Sequence, residues 1–275
     1  MDYLRAIILG IVQGLTEFLP VSSSGHLQIF KNIFGIEFFE SGLTLDIMLH
    51  IGTLLSVFVV FRKDIFELIK EFFMLIADAL RGKFKIETPY RRMLLMLVVA
   101  SIPAAFAGFL FKDFVESIAG DRLWVVGVCL FITAAILLLS DKVVTGKKEM
   151  KDLSLKNSFF VGLFQGVAIL PGISRSGSTI AGALFAGFSR EFSVKFSFLL
   201  SIPAILGAAL FDGIDVIKEG TDISFLPAFC GVTVAAVSGF FAIKILRKLV
   251  KDGKFKYFAY YCMVAGVLTL VLSFT

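Results

Sequence analysis

Three cysteines are all that 275 residues contain. Cys129, Cys230 and Cys262 are odd in number, far apart and set in apolar sequence, so they read as buried helix residues and not as a redox or metal pattern. A cleavable leader is not expected either. The N-terminal Met-Asp-Tyr-Leu-Arg runs directly into Gln13, Thr16 and Glu17 without a small-residue cleavage site, so no signal peptide is expected there. The formal net charge of +5 is no nucleic-acid signal. The basic residues gather in particular loops between apolar runs, a distribution that membrane topology explains.

Apolar surface is what the chain has in excess. Hydrophobic residues make up 57% and phenylalanine occurs 32 times, with a mean hydropathy of +0.90, whereas soluble domains are about 45–50% apolar. Several runs reach the roughly 17–25 residues that a spanning helix needs. The expectation is an all-α integral membrane protein, one polytopic domain over 1–275, because helices satisfy their own backbone in lipid. Six spans are expected near 43–61, 93–111, 123–140, 193–211, 224–246 and 257–274. An amphipathic segment follows the first of them, to about Leu80.

Two further apolar stretches, 3–34 and 157–188, are interrupted. Residues 3–19 are helical in pattern but carry Gln13, Thr16 and Glu17, and then break at Pro20-Val21-Ser22-Ser23-Ser24-Gly25. Each stretch reads as two half-helices around a polar break, the form of a re-entrant hairpin lining a cavity. Basic loops 62–92, 141–156 and 247–256 are assigned to the cytoplasm, and acidic loops 35–42, 112–122 and 212–223 to the outside.

A shift of 152 positions lays Gly10, Gln13 and Gly14 over Gly162, Gln165 and Gly166, and Ser22, Ser24 and Gly25 over Ser174, Ser176 and Gly177. Repeat 1 is about 1–140, repeat 2 about 157–275, and 141–156 is a basic cytoplasmic linker. Three spans plus the linker separate the copies, so the second enters the membrane from the opposite face, as in inverted repeats that meet at the midplane. Glu17 lies over Ile169, Ser23 over Arg175 and His26 over Ser178. One hairpin therefore offers a carboxylate, hydroxyls and an imidazole, and the other a guanidinium and hydroxyls.

Residues 171–179, Pro-Gly-Ile-Ser-Arg-Ser-Gly-Ser-Thr, carry the chemistry of the second hairpin. Placing an arginine at the centre of a bilayer costs about 2.5–3.5 kcal/mol on insertion scales, so Arg175 needs a partner or a wet cavity. Its planar fork suits phosphate or carboxylate oxygens, and a glycine-rich turn opening a helix presents free N–H groups to an anion. Phosphate is the expected ligand. Gln13 and Glu17 share a helix face. A carboxylate beside a phosphate needs a cation or proton between them, and Mg²⁺ or Ca²⁺ held by few protein oxygens plus phosphates would serve; a structural Glu17–Arg175 ion pair is the plainer alternative. Either Ser23, with His26 as base, or His26 itself is a candidate nucleophile. Asp46 and His50 are a candidate i,i+4 pair.

The stretches QGLTEFLPVSSSGH at 13–26 and PGISRSGST at 171–179 closely resemble the two motifs of the undecaprenyl-diphosphate phosphatase family, also known as bacitracin-resistance proteins, and the resemblance covers essentially the whole chain. It implies hydrolysis of a C55 polyprenyl diphosphate to the monophosphate and inorganic phosphate, recycling the lipid carrier of cell-wall synthesis. Catalytic roles fall on Glu17, Ser23, His26 and Arg175. Phosphate binding falls on Ser22, Ser174, Arg175, Ser176 and Thr179, and a divalent cation on Glu17 and Gln13. The family's motif often begins with glutamate where this chain has Gln13, which leaves Glu17 as the main anionic ligand. The resemblance further implies the bacterial cytoplasmic membrane, a site open to the extracytoplasmic side, a homodimer, and bacitracin acting by sequestering the same lipid. An inverted-repeat transporter or flippase for a phosphorylated lipid is the alternative.

Overall fold

The computed structural model describes residues 3–34, 42–83, 85–119, 122–219 and 225–274, apart from the side chains of 42–44, 112, 116, 119, 211, 212 and 214–219. Helices follow one another as α1 (Tyr3–Phe18), α2 (Ser23–Phe34), α3 (Gly42–Val60), α4 (Arg62–Leu80), α5 (Pro89–Ala119), α6 (Leu123–Asp141), α7 (Leu155–Val167), α8 (Arg175–Phe185), α9 (Arg190–Glu219), α10 (Phe225–Lys251) and α11 (Phe255–Leu272). A short 3-10 turn at Met150–Asp152 sits in the linker.

Five helices are long and apolar enough to cross a membrane, in α5, α6, α9, α10 and α11, and the bent pair α3–α4 makes a sixth if taken as one span. The chain is thus a multi-pass membrane protein of helical class. The pair bends by 92° at Phe61, where the apolar run of α3 gives way to Arg62-Lys63-Asp64. The mixed composition of α4 buries Ile65, Leu68 and Glu71 on one face. Both interrupted stretches are indeed pairs of short helices.

The ends of the spans differ from expectation. Most of the expected loop 112–122 is helix continuing α5, and α9 runs through 212–219 of the other expected loop. No proline stops either segment, and Asp113, Asp212 and Asp215 each cost a helix less than about 0.7 kcal/mol, too little to end one. Residues 120–121 and 220–223 of those loops, and 35–41 of the first acidic loop, lie outside the described residues.

Close helix contacts are made through small residues. α1 packs along α10 and α7 along α5, while α6 packs against α11. A Cβ on Gly10 of α1 would come 2.5 Å from the carbonyl oxygen of Gly231 in α10, and one on Gly162 of α7 would collide with the Ala100 carbonyl of α5. Backbones this near each other gain dispersion where a larger side chain would separate them. The two helix breaks also touch: a Cβ on Gly25 would lie 3.1 Å from Gly172 Cα, and one on Gly177 would lie 3.1 Å from Pro20 Cβ.

One member of the basic loop 62–92 is no free surface charge. Arg91 is 3% exposed. It donates from Nε to Glu71 Oε2 at 2.9 Å and from Nη1 to Asp78 Oδ2 at 2.7 Å and the Lys85 carbonyl at 2.8 Å. Thr88 Oγ1 donates to the other Glu71 oxygen at 2.5 Å. The network ties α4 to the start of α5. Arg91→Ala strands a buried carboxylate, and a drop of several degrees in unfolding temperature in detergent is expected; an unchanged transition would show that the network contributes nothing.

Candidate active site

α1 cannot continue past Pro20, which lacks a backbone N–H. The chain reverses over Leu19–Ser22, with Ser22 at φ +71°, the one non-glycine residue in the left-handed region among the described residues. Such a conformation costs of order 1 kcal/mol or more and persists where surrounding contacts enforce it. Here Ser22 Oγ accepts from Gly25 N–H at 3.3 Å and lies 3.3 Å from Ser24 Oγ. The reversal brings Ser23, first residue of α2, back over the end of α1.

Ser23 Oγ donates to Glu17 Oε2 at 2.6 Å, and Gln13 Nε2 donates to the same oxygen at 3.1 Å. The other oxygen, Oε1, accepts from Arg175 Nη2 at the start of α8. Glu17 is buried, with 5% of its side chain exposed, and Arg175 is mostly so at 19%. A carboxylate and a guanidinium 158 residues apart are thus joined across the two hairpin tips, each removing the cost of the other's burial. Arg175 Nη1 is buried with no partner, so one donor remains for an incoming anion.

The second hairpin turn is held from inside. Ser174 caps α8, accepting from Gly177 N–H at 3.1 Å, and its own N–H donates to Thr133 Oγ1 at 3.0 Å. Thr133 Oγ1 in turn donates to the Gly172 carbonyl at 2.9 Å. Thr179 Oγ1 donates to the Arg175 carbonyl at 2.8 Å and pairs with Ser197 Oγ at 2.5 Å. Ser176 Oγ lies 3.2 Å from Ser174 Oγ and 3.4 Å from the Leu19 carbonyl. In this state Ser174, Ser176 and Thr179 are engaged in closing the turn that aims Arg175.

The histidines are placed differently from expectation. His26 does not meet Ser23, whose partner is Glu17. Its Nδ1 lies 2.8 Å from the Ser22 carbonyl and its Nε2 2.7 Å from Tyr261 Oη, with the two rings stacked at 5.6 Å. The helical register of α2 puts His26 one turn after Ser22 and on the side of α11, away from α1. His50 and Asp46 do interact, but through the Asp46 backbone carbonyl, 2.7 Å from His50 Nδ1; the carboxylate takes Lys31 Nζ at 2.9 Å. The second ring nitrogen of His50 comes 3.6 Å from Glu17 Oε2. Tyr261, Thr133 and Ser197 have no place in the two motifs. The signal that could have found them is a polar group inside an otherwise apolar span.

Among the described residues no three His, Cys, Asp or Glu side chains converge in a way that could hold a metal. The group on offer is Glu17 with the Gln13 amide, whose Oε1 is fully buried and unpartnered. One carboxylate and one amide oxygen fit a hard cation that keeps waters and takes phosphate oxygens, not one caged by protein alone.

The family described as Bacitracin resistance protein BacA matches residues 6–268. The chain belongs to this family. Relatives along the full length carry the name undecaprenyl-diphosphatase. That of Alkaliphilus metalliredigens is 46% identical over 275 residues, covering 99% of each chain. That of Methanobrevibacter smithii is 45% identical over 278 residues, covering 100% of this chain and 99% of the other. That of Methanosphaera stadtmanae is 44% identical, covering 99% of each. Both hairpin tips of this BacA-family chain fall inside the matched region.

Proposed function

We propose that this chain is an undecaprenyl-diphosphatase, a membrane enzyme that hydrolyses undecaprenyl diphosphate to undecaprenyl phosphate and inorganic phosphate. The observation that carries the mechanism is the contact Ser23–Glu17–Arg175, which sets a nucleophile on a base and the base on a phosphate-type cation. A transporter needs only a binding site, and a serine hydroxyl hydrogen-bonded to a buried carboxylate is surplus to it.

Ser23 Oγ attacks the terminal phosphorus while Glu17 Oε2 takes its proton. The bond from that phosphorus to the bridging oxygen breaks, and undecaprenyl phosphate leaves with the electron pair. Water then attacks the phosphoserine, the proton on Glu17 returns to Oγ, and the water's proton leaves on the inorganic phosphate. Arg175, through Nη1, stabilises the equatorial oxygens, where electrostatics and positioning do most of the work. His26, with both nitrogens engaged, supports the loop behind Ser23 and is not the nucleophile in this scheme. Ser22, Ser174, Ser176 and Thr179 shape the phosphate cradle.

Gln13 and Glu17 would hold Mg²⁺ or Ca²⁺, which supplies neutralising charge beside the phosphates. The two broken stretches are read as re-entrant hairpins of inverted repeats, 1–140 and 157–275, around linker 141–156. The exchange of partners, α1 on α10 and α7 on α5, supports this reading. The loop charges orient the chain with its basic loops in the cytoplasm, and the family resemblance implies the bacterial cytoplasmic membrane with the site reached from the extracytoplasmic side. A homodimer and bacitracin's capture of the common lipid belong to the same reading.

The test is phosphate release from C55 diphosphate by the purified protein in detergent. Release should cease with EDTA and return with excess Mg²⁺ or Ca²⁺. Folded protein that binds the lipid yet releases no phosphate with any metal would overturn the proposal.

A further inference from the structure

The chain has two histidines, and the structure uses them in opposite ways. His26 is saturated. The Ser22 carbonyl, which can only accept, fixes its hydrogen on Nδ1, and the Tyr261 hydroxyl can donate to Nε2. His50 is saturated on one side only. The Asp46 carbonyl 2.7 Å away fixes the hydrogen of the neutral ring on Nδ1, which leaves the Nε2 lone pair in the site. The neighbour there is Glu17 Oε2 at 3.6 Å, another acceptor, and too far for a hydrogen bond. With the ring neutral, two lone-pair atoms therefore face each other, and Oε2 also accepts from Ser23 and Gln13.

We propose that His50 Nε2 and Glu17 Oε2 are joint ligands of a divalent cation, with Gln13 Oε1 as third protein donor and phosphate oxygens and water filling the rest. Atoms each about 2.1 Å from a common cation stand about 3.0–3.6 Å apart at ligand angles of about 90–120°. The His50–Glu17 spacing is therefore that of two ligands sharing an ion. A histidine that donates its far N–H to a backbone carbonyl is oriented as metal-bound histidines generally are. Gln13 is fully buried; its Nε2 faces Glu17 Oε2 at 3.1 Å while Oε1 has no partner, so turning the amide over exchanges that hydrogen bond for an oxygen beside the carboxylate. His50 is 35% exposed, so the position is open to phosphate and solvent. With Arg175 already on Oε1, a second cation at Glu17 needs the negative charge of the diphosphate, so metal and headgroup should bind together. An imidazole ligand moves preference from Ca²⁺ toward Mn²⁺ and similar first-row ions.

The inference rests on the phosphatase reading only for the phosphate oxygens that complete the shell. Its test is pulsed electron paramagnetic resonance on the purified full chain in detergent with Mn²⁺ and methylenediphosphonate, a headgroup that cannot be hydrolysed. The wild type should show nitrogen coupling from one imidazole. His26→Ala should keep it, and His50→Ala and His50→Gln should lose it, with Mn²⁺ affinity by titration calorimetry reduced about tenfold or more. The two His50 variants guard against misfolding, and the His26 variant tells the two histidines apart. No nitrogen coupling in the wild type, coupling that persists without His50, or coupling lost with His26 would overturn the proposal. Phosphate release is scored separately: coupling without release would sink the phosphatase reading and leave the site, whereas release without coupling would do the reverse.

Discussion

Ser23→Ala is expected to lower phosphate release from undecaprenyl diphosphate by about 10³-fold or more, with lipid binding largely kept. In the proposed scheme the hydroxyl is the attacking group, with its proton passing along the 2.6 Å hydrogen bond to Glu17 Oε2; losing an attacking group lowers the chemical step and leaves ground-state contacts in place. His26→Ala should cost much less, because His26 reaches Ser22 and Tyr261 and not Ser23. Its loss loosens the strained Ser22 turn without removing a reacting atom. A covalent intermediate gives a second readout. Brief reaction and acid quench should leave phosphate on the peptide containing Ser23, detectable by mass spectrometry in the wild type. If Ser23→Ala stays active while His26→Ala is dead, with phosphate on the histidine, the assignment is reversed.

Arg175→Ala should damage both activity and stability, and the two losses should come apart in a double variant. For activity, arginines that neutralise a transferring phosphoryl group are worth about 10³–10⁵ in rate. For stability, removing Arg175 leaves Glu17 as a buried carboxylate with 5% of its side chain exposed, and breaking a buried pair on one side costs about 3–5 kcal/mol. Glu17→Gln together with Arg175→Ala removes the stranded charge, so the unfolding transition should recover much of the way to wild type while phosphate release stays absent. Arg175→Lys should hold part of the stability and little of the activity, since an ammonium cannot span Glu17 and a phosphate as a planar fork can. A double variant no more stable than Arg175→Ala would show that the pair is not what stabilises the hairpin contact.

Much of the architecture was readable from composition and hydropathy because lipid imposes a simple rule on local sequence. A run of apolar residues in lipid must be a helix, and Pro20 and the Pro171-Gly172 turn must interrupt one, so the spans and both breaks could be located along the chain. Span ends were less legible. The segments 112–119 and 212–219 carry charge, which reads as loop, yet their helix propensity lets α5 and α9 continue. The acidic label describes where water begins and not where hydrogen bonding stops.

The candidate site shows the same division. Gln13, Glu17, Ser23 and Arg175 could be picked out as candidates because they are polar groups in apolar surroundings close to the two breaks, which local sequence alone displays. Which of them touch could not be read there. Ser23 and His26 are three residues apart and read as a candidate pair, but Ser23 bonds to Glu17 of α1 and His26 to Tyr261 of α11. His50 sits in an ordinary apolar span and enters the site only because α3 packs beside α1. Arg91 looked like one more loop cation until α4 and α5 closed over it. Hydropathy and helix-breaking residues act through solvent and the adjacent backbone, and so the sequence by itself determined the class, the spans and the chemically charged hairpins. Contacts between side chains depend on the rotation and crossing of helices distant along the chain, so only the tertiary structure decided that Ser23 hydrogen-bonds to Glu17, that Arg175 pairs with the same carboxylate, and that His50 Nε2 comes to face it.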